Sequence, residues 1–325
     1  MKPFIPRQRQ QGVAIITALL LTALAITIVA SLFWQQQVQV RSMENQRLRL
    51  QTQWAMRGMV DFARFWLRQD NPALTAVDGV WATPIEEARL DDYVDRERVD
   101  TEKFDATVSG RALDAQGRFN IANLVDMTGA PNLGQLQAYQ RLLSNLQLDS
   151  GLAQATADAV ARARPKPRTS DKGSDGKTTT AAASSSGSSE PVAFVQLDDL
   201  LAVPGYTPQI IEKLRDFVIV LPEVTAINVN TAPAEVLAAI TDMSLSEASA
   251  LTLSNPRKKF VDPDNFKNNI NGKKVIGGVE LDVKSRYFLT VIRVRLDRAA
   301  LDAQALINRK TDPQRTTSLV WLREN

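Results

Sequence analysis

The sequence predicts an α+β protein built on one very long N-terminal helix, apolar and then amphipathic, packed on an antiparallel sheet and interrupted by a large all-α insertion. Three observations predict it. Val13 to Phe33 is an uncharged apolar run; the stretch from Gln35 to Gln69 has no proline and helical spacing; and the closing segment alternates like strands after a middle region full of helix signals.

The run VAIITALLLTALAITIVASLF is long enough to cross a bilayer core of about 30 Å as a helix. The preceding MKPFIPRQRQQG carries Lys2, Arg7 and Arg9 and no acid, so the N-terminus is expected in the cytoplasm and everything after Trp34 on the far side. An ordinary single-pass anchor fits this pattern. A secretory signal peptide fits it less well, because Gln35, Gln36 and Gln37 bring rising polarity without a small-x-small site. A third arrangement, a basic leader removed between Gly12 and Val13, resembles that of type IV pilin-like proteins, which a prepilin peptidase cuts.

Beyond the apolar run, Val40, Met43, Leu50, Trp54, Phe62 and Phe65 recur near helical spacing, which predicts one helix from Val13 to about Arg68, roughly 80 Å long. Trp54, Gly58 and Phe62 are four apart on one face, either packed on the protein's own sheet or meeting a partner helix. Asn71-Pro72 is the stop signal.

Composition removes several chemistries. Histidine and cysteine are absent, which excludes Ser-His-Asp and Cys-His nucleophiles, Cys/His zinc sites, thiol redox chemistry and disulfides. Ser-Lys and paired-carboxylate enzymes stay open, but no motif of either kind stands out, so no catalytic residue is assigned. The net charge of +3 is small and comes largely from the leader, which leaves no electrostatic case for nucleic acid.

Residues 71–98 read as turns followed by a solvated acidic run, Glu86, Glu87, Asp91 and Asp92. Phe104, Ala106 and Val108 alternate as a strand; Asp114 to Gly117 reads as a turn, and Phe119, Ile121 and Leu124 as the partner strand of a small hairpin. Leu136, Tyr139, Leu142, Leu143 and Leu146 mark a helical region over 133–164. Pro165 to Pro191 has no large apolar residue and is rich in Ser, Thr and Gly, so a mobile loop is expected there. Asp171 and Asp175-Gly176 echo a calcium loop, but Ala182 stands where its bidentate Glu belongs. Thr207-Pro208 should open a helix over 209–220, Thr231 should cap one ending at Ile240, and Ser244 with Glu247 forms a capping box for a third. LLAVPGYTPQIIEKL and INVNTAPAEVLAAI also look like helix-hairpin-helix units of DNA-binding proteins, yet Thr241-Asp242-Met243 occupies the place of the glycines whose N–H groups would meet phosphate. Phe288, Ile292, Val294 and Leu296, then Leu301, Ala303, Ala305 and Ile307, then Leu319 and Trp321 predict a three-stranded meander.

The leader QRQQGVAIITALLL, the segment DAQGRFNIANL, INVNTAPAEVL and SRYFLTV together resemble the K-type minor pseudopilin family of type II secretion systems over nearly the whole chain. The resemblance implies a pilin-like domain with a helical insertion and a place at the tip of the periplasmic pseudopilus, where it would help to initiate assembly for export of folded proteins. It implies I-type and J-type minor pseudopilins as partners, together with the major pseudopilin, the inner-membrane platform and the prepilin peptidase. It further implies cleavage after Gly12, N-methylation of Val13 and residence in the inner membrane. In most pilin-like proteins the fifth residue after the cut is Glu; here it is Thr17. That suits a subunit with no neighbour above it, since an unpaired carboxylate in an apolar core is costly. Relatives often hold calcium through an acidic segment, but the matching stretch here is cationic and Asp158 alone cannot supply about six to eight oxygen ligands, so no metal or cofactor is expected. The predicted boundaries are 1–12 for the leader, 13–33 for the transmembrane segment and 34–70 for the second half of the helix. They continue as 71–124 for the first part of the α/β domain, 125–280 for the insertion with its loop at 165–191, and 281–325 for the closing strands. The alternative is a pilin-like DNA-uptake component.

Overall fold

The computed structural model describes residues 11–89, 106–126, 128–163, 193–254, 257–310 and 315–324. The N-terminal rod, α1, spans Gln11–Gln69, 59 residues or about 88 Å. Beyond Gly12 in its first turn its only glycine is Gly58, and it ends at Gln69, immediately before Asp70 and Asn71-Pro72. A 3-10 turn at Val80–Ala82 buries Trp81. Strand β1 (Ile85–Arg89) follows, with Glu86 and Glu87 exposed on it; Asp91 and Asp92 lie outside the described residues.

Strand β2 (Ala106–Asp114) leads into a 3-10 turn at Ala115–Gly117 and then the two-residue β3 (Phe119–Asn120). The helices α2 (Leu133–Asn145) and α3 (Leu152–Ala163) come next. After residue 193 the chain forms a 3-10 turn at Leu197–Ala202, α4 (Pro208–Leu214), β4 (Val218–Ile219) and β5 (Ile227–Asn228). It continues through α5 (Ala234–Ile240), α6 (Leu245–Thr252), α7 (Pro263–Asn269) and β6 (Leu281–Asp282). The meander β7 (Tyr287–Leu296), β8 (Ala299–Arg309) and β9 (Thr317–Glu324) closes the chain.

The main sheet has the order β1-β2-β7-β8-β9, antiparallel throughout. Alternation puts Val108, Ile292, Val294, Ala303 and Ala305 on one face, where they pack against Met56, Met59 and Val60 of α1. Further along, Leu67 and Trp81 close on Phe288 and Ile307. The rod therefore has one half set on the sheet and one half projecting.

Strands β2 and β7 are neighbours in register, Asp114 opposite Phe288, although the whole insertion separates them in sequence. The chain thus leaves the main sheet at Asp114 and returns to it at Tyr287. The expected hairpin does not form. The positions beside β2 are filled by β1 and β7, and the Asp114 carboxylate accepts from Gln116 N at 2.8 Å, turning the chain out of the sheet. Phe119–Asn120 pairs in parallel with Val218–Ile219 instead. Thr207 caps α4 as expected, but that helix ends at Leu214 and the apolar residues after it become β4. Ser244 and Glu247 form the predicted capping box. Thr231 does not cap α5, whose N-cap is Pro233. The tract 165–191 lies outside the described residues.

The lobe has its own core, in which Phe119 stacks on Tyr139 at 5.1 Å among Leu142, Leu143, Leu200 and Leu214. Within it the Tyr139 and Tyr206 hydroxyls are 2.8 Å apart, and Thr156 Oγ1 lies 2.7 Å from Tyr206 and donates to Leu152 O. Burial pushes both phenols above their ordinary pKa. Tyr206→Phe leaves the Tyr139 hydroxyl without its partner, and a loss of about 1–3 kcal/mol is expected in denaturant unfolding. A midpoint equal to that of the parent would show the triad to be dispensable.

Candidate functional site: an assembly rod and its clamp

Twelve large apolar side chains between Val13 and Phe33 are exposed, and no part of that stretch is covered by the rest of the chain. Each costs roughly 1.5–3 kcal/mol in water, so this half of α1 requires lipid or neighbouring helices. Its three threonine hydroxyls are already satisfied internally. Thr17 Oγ1 lies 3.0 Å from Val13 O and from Ala14 O, Thr22 donates to Leu19 O, and Thr27 to Leu24 O. A hydroxyl bonded to its own helix enters an apolar medium at little cost, which a carboxylate at the same place would not. Gly12 and Val13 lie within the described helix; the leader up to residue 10 lies outside it.

Lower on the rod, the structure separates the three aromatic-stripe residues. Trp54 is 67% exposed, and nothing approaches within 4 Å of where a Gly58 Cβ would sit. Phe62 is half-buried and stacks on Trp66 at 5.5 Å, while Trp66 Nε1 donates to Val80 O. The face that meets the sheet is instead Thr52, Met56, Met59, Val60 and Leu67, so Trp54 and Gly58 are not part of the chain's own core.

Where rod, sheet and lobe meet, buried polar groups form a continuous clamp. Asp70, just past the end of α1, receives Arg309 Nη1 of β8 at 2.8 Å, and Arg309 is 1% exposed. Arg309 Nη2 donates to Thr75 Oγ1 and to Ser285 O, and its guanidinium lies 4.7 Å from the Phe288 ring. Thr75 Oγ1 in turn accepts from Ser285 N. At the other end Asp114 Oδ2 accepts from Ser285 Oγ at 2.5 Å, Thr231 Oγ1 at 2.7 Å and Asn228 Nδ2 at 2.8 Å. Gln116 Oε1 accepts from Arg286 N at 2.6 Å, and its amide donates to Ala226 O. Gly117 is required here, because a Cβ would come within 2.8 Å of Thr231 Oγ1 and 3.1 Å of the Thr231 backbone.

DAQG, INVNT and SRY, three of the stretches that carry the family resemblance, thus converge on one buried network. Burial raises the Asp114 pKa, and the hydrogen bonds from Ser285, Thr231, Gln116 N and Asn228 oppose that rise. Asp70 and Arg309 escaped the sequence reading, although one signal was present. The inward row Leu301, Ala303, Ala305, Ile307 continues to position 309, and an arginine there demands a buried acid.

Among the described residues no group of three or more carboxylates converges on a common point; Asp158 sits on α3 with Gln154 donating to it. The calcium-loop echo at Asp171 and Asp175 lies outside the described residues. In the helix-hairpin-helix-like segment, Asp242 N donates to Lys274 O and Met243 N to Thr241 Oγ1, so these two N–H groups, at the place of the glycines, are engaged within the chain.

An apolar rod of membrane-spanning length, continued as a helix seated on an antiparallel sheet, defines a pilin-like subunit. Two family models, both described as Type II secretion system (T2SS), protein K, match residues 117–223 and 227–284, together just over half of the chain. A type II secretion system protein K of Pseudomonas aeruginosa is 28% identical over 308 residues, covering 89% of this chain and 86% of its own. A chain of the crystal structure of the GspK-GspI-GspJ complex from enterotoxigenic Escherichia coli has the same fold, with a TM-score of 0.65 and 19% identity over 87% of this chain and 99% of that one. The chain belongs to the type II secretion system protein K family. It is a minor pseudopilin, a structural component of a secretion system, with one N-terminal helix long and apolar enough to cross a membrane.

Proposed function

We propose that the chain occupies the tip of the pseudopilus and starts its assembly, in a complex with I-type and J-type minor pseudopilins, by packing rather than by catalysis. The observation that carries this is the division of labour along α1, a bare apolar half followed by a half anchored to a sheet with a bulky lobe. Prepilin peptidase removes residues 1–12, the Val13 amine is methylated, and the rod leaves the inner membrane sideways to join its neighbours. The N-terminus starts in the cytoplasm and the folded part stands in the periplasm. Thr17 supports the tip position, since its self-bonded hydroxyl asks nothing of a subunit above. The complex named for the E. coli relative supports the choice of partners. The boundaries at 12, 33 and 70 belong to this proposal.

N-terminal sequencing of the mature protein is expected to begin at Val13, and replacing Gly12 with a bulky residue should leave the full-length band on a gel. Mature protein starting at Met1, or beyond Trp34, would overturn the proposal.

A further inference from the structure

Below its apolar half, the face of α1 turned away from the sheet carries a second pattern. Val40, Met43, Arg47, Leu50, Trp54, Arg57 and Asp61 follow one another at alternating steps of three and four; Phe65 and Arg68 continue the row after one extra residue. At 3.6 residues per turn they form one stripe, opposite Met56 and Leu67, and every one of them is exposed. Such spacing is the seam on which a second helix lies at a shallow crossing angle.

The seam is also mainly cationic, with Arg47, Arg57 and Arg68 against the single acid Asp61. From Gln35 to Gln69 there are six arginines, no lysine and two acids. Glu44 is engaged by Arg298 at 3.4 Å and Asp61 by Arg64 at 2.8 Å. Arg57 lies over the Trp54 ring at 5.4 Å, which holds its planar fork ready for a carboxylate. Arg68 stands eleven residues on, three turns or about 16 Å along the same stripe.

We infer that this seam docks an α-helix of a neighbouring pseudopilin that presents carboxylates about three turns apart, one facing Arg57 and one facing Arg68. The inference rests on the pseudopilin reading above and adds the chemistry of the partner. A purely apolar helix would bury Arg57 and Arg68 without a facing carboxylate, which is costly. Lipid phosphates are out of range, because Arg57 and Arg68 stand about 35 and 50 Å past Trp34 along the helix, several screening lengths.

Because the chain has no cysteine, single cysteines report its neighbours cleanly. Full-length Gly58→Cys, co-expressed with I-type and J-type pseudopilins carrying single cysteines along their helices, should form a disulfide-linked pair in membranes. R57E/R68E in that background is expected to cut the cross-link by about tenfold or more. Arg57→Lys with Arg68→Lys should retain most of it, reversing the two facing carboxylates on the partner should restore it, and Arg41→Glu, off the stripe, should leave it unchanged. An undiminished cross-link in R57E/R68E would overturn the inference. Ala18→Cys, in the apolar half, separates the two levels. If it cross-links to a pseudopilin and Gly58→Cys does not, the seam is wrong and the pseudopilin reading stands; if neither cross-links, both fall.

Discussion

Arg309→Met is expected to destabilise the folded chain by about 3–5 kcal/mol, the range for breaking a buried ion pair from one side. Arg309 joins four parts of the molecule at once: the end of α1 through Asp70, the loop at Thr75, the return into the sheet at Ser285, and the Phe288 ring. Removing it strands the Asp70 carboxylate, 6% exposed, in apolar surroundings. Asp70→Ala should cost a similar amount for the mirror-image reason, leaving a guanidinium unpaired. Replacing both, as D70L/R309M, should recover most of the loss, because two apolar side chains of similar size no longer pay for desolvated charges. Heat denaturation of the detergent-solubilised protein checks this. Single variants that melt with the parent, or a double variant less stable than either single one, would show that the pair is not what holds the rod's end to the sheet.

This pair illustrates what could be read from the chain alone. The rod, its stop at Asn71-Pro72 and the closing meander were legible because each is a repeating pattern over many residues. The short pairings were not. β3 pairs with β4 and β5 with β6 over two residues each, and a two-residue strand has no period to recognise. Thr231 looked like a helix cap because capping residues are recognised by type and distance. In the fold it lies two residues before the N-cap Pro233, and its hydroxyl is drawn to Asp114, a partner 117 positions away in sequence. The aromatic stripe stayed undecided between sheet and partner helix for a related reason. Helical spacing groups residues on a face without saying which face the sheet will cover, and Met56, Met59 and Leu67 outcompete Trp54 for it. The segments that carried the resemblance could be matched as strings. Their shared purpose, one carboxylate surrounded by donors from three distant stretches, exists only in the folded chain.

Asp114→Ala should accordingly be the other costly substitution, at least about 3 kcal/mol, since it leaves Ser285, Thr231, Asn228 and the Gln116 N–H buried without their common acceptor. The damage should be regional. Amide exchange should speed up at 114–124 and 227–231, where the lobe is tied to the sheet, and stay slow in the centre of β8, whose ladder to β7 is untouched. Uniform loss of protection would mean that lobe and sheet melt as one unit. Titration offers an independent check through Asp114→Asn, which keeps the volume and removes the charge. Because burial holds the folded carboxyl above its ordinary pKa of 3.8, the folded state keeps the proton that the unfolded chain releases first. That contribution to stability is present in full below the unfolded pKa and is lost as pH rises through the folded one. The other carboxylates are common to both proteins and cancel in the comparison. The parent should therefore lose more stability than Asp114→Asn as pH rises above about 4, the ordinary carboxyl value. A parent that loses less would mean that the four donors outweigh burial and that the clamp is held by an ionised Asp114 with a depressed pKa.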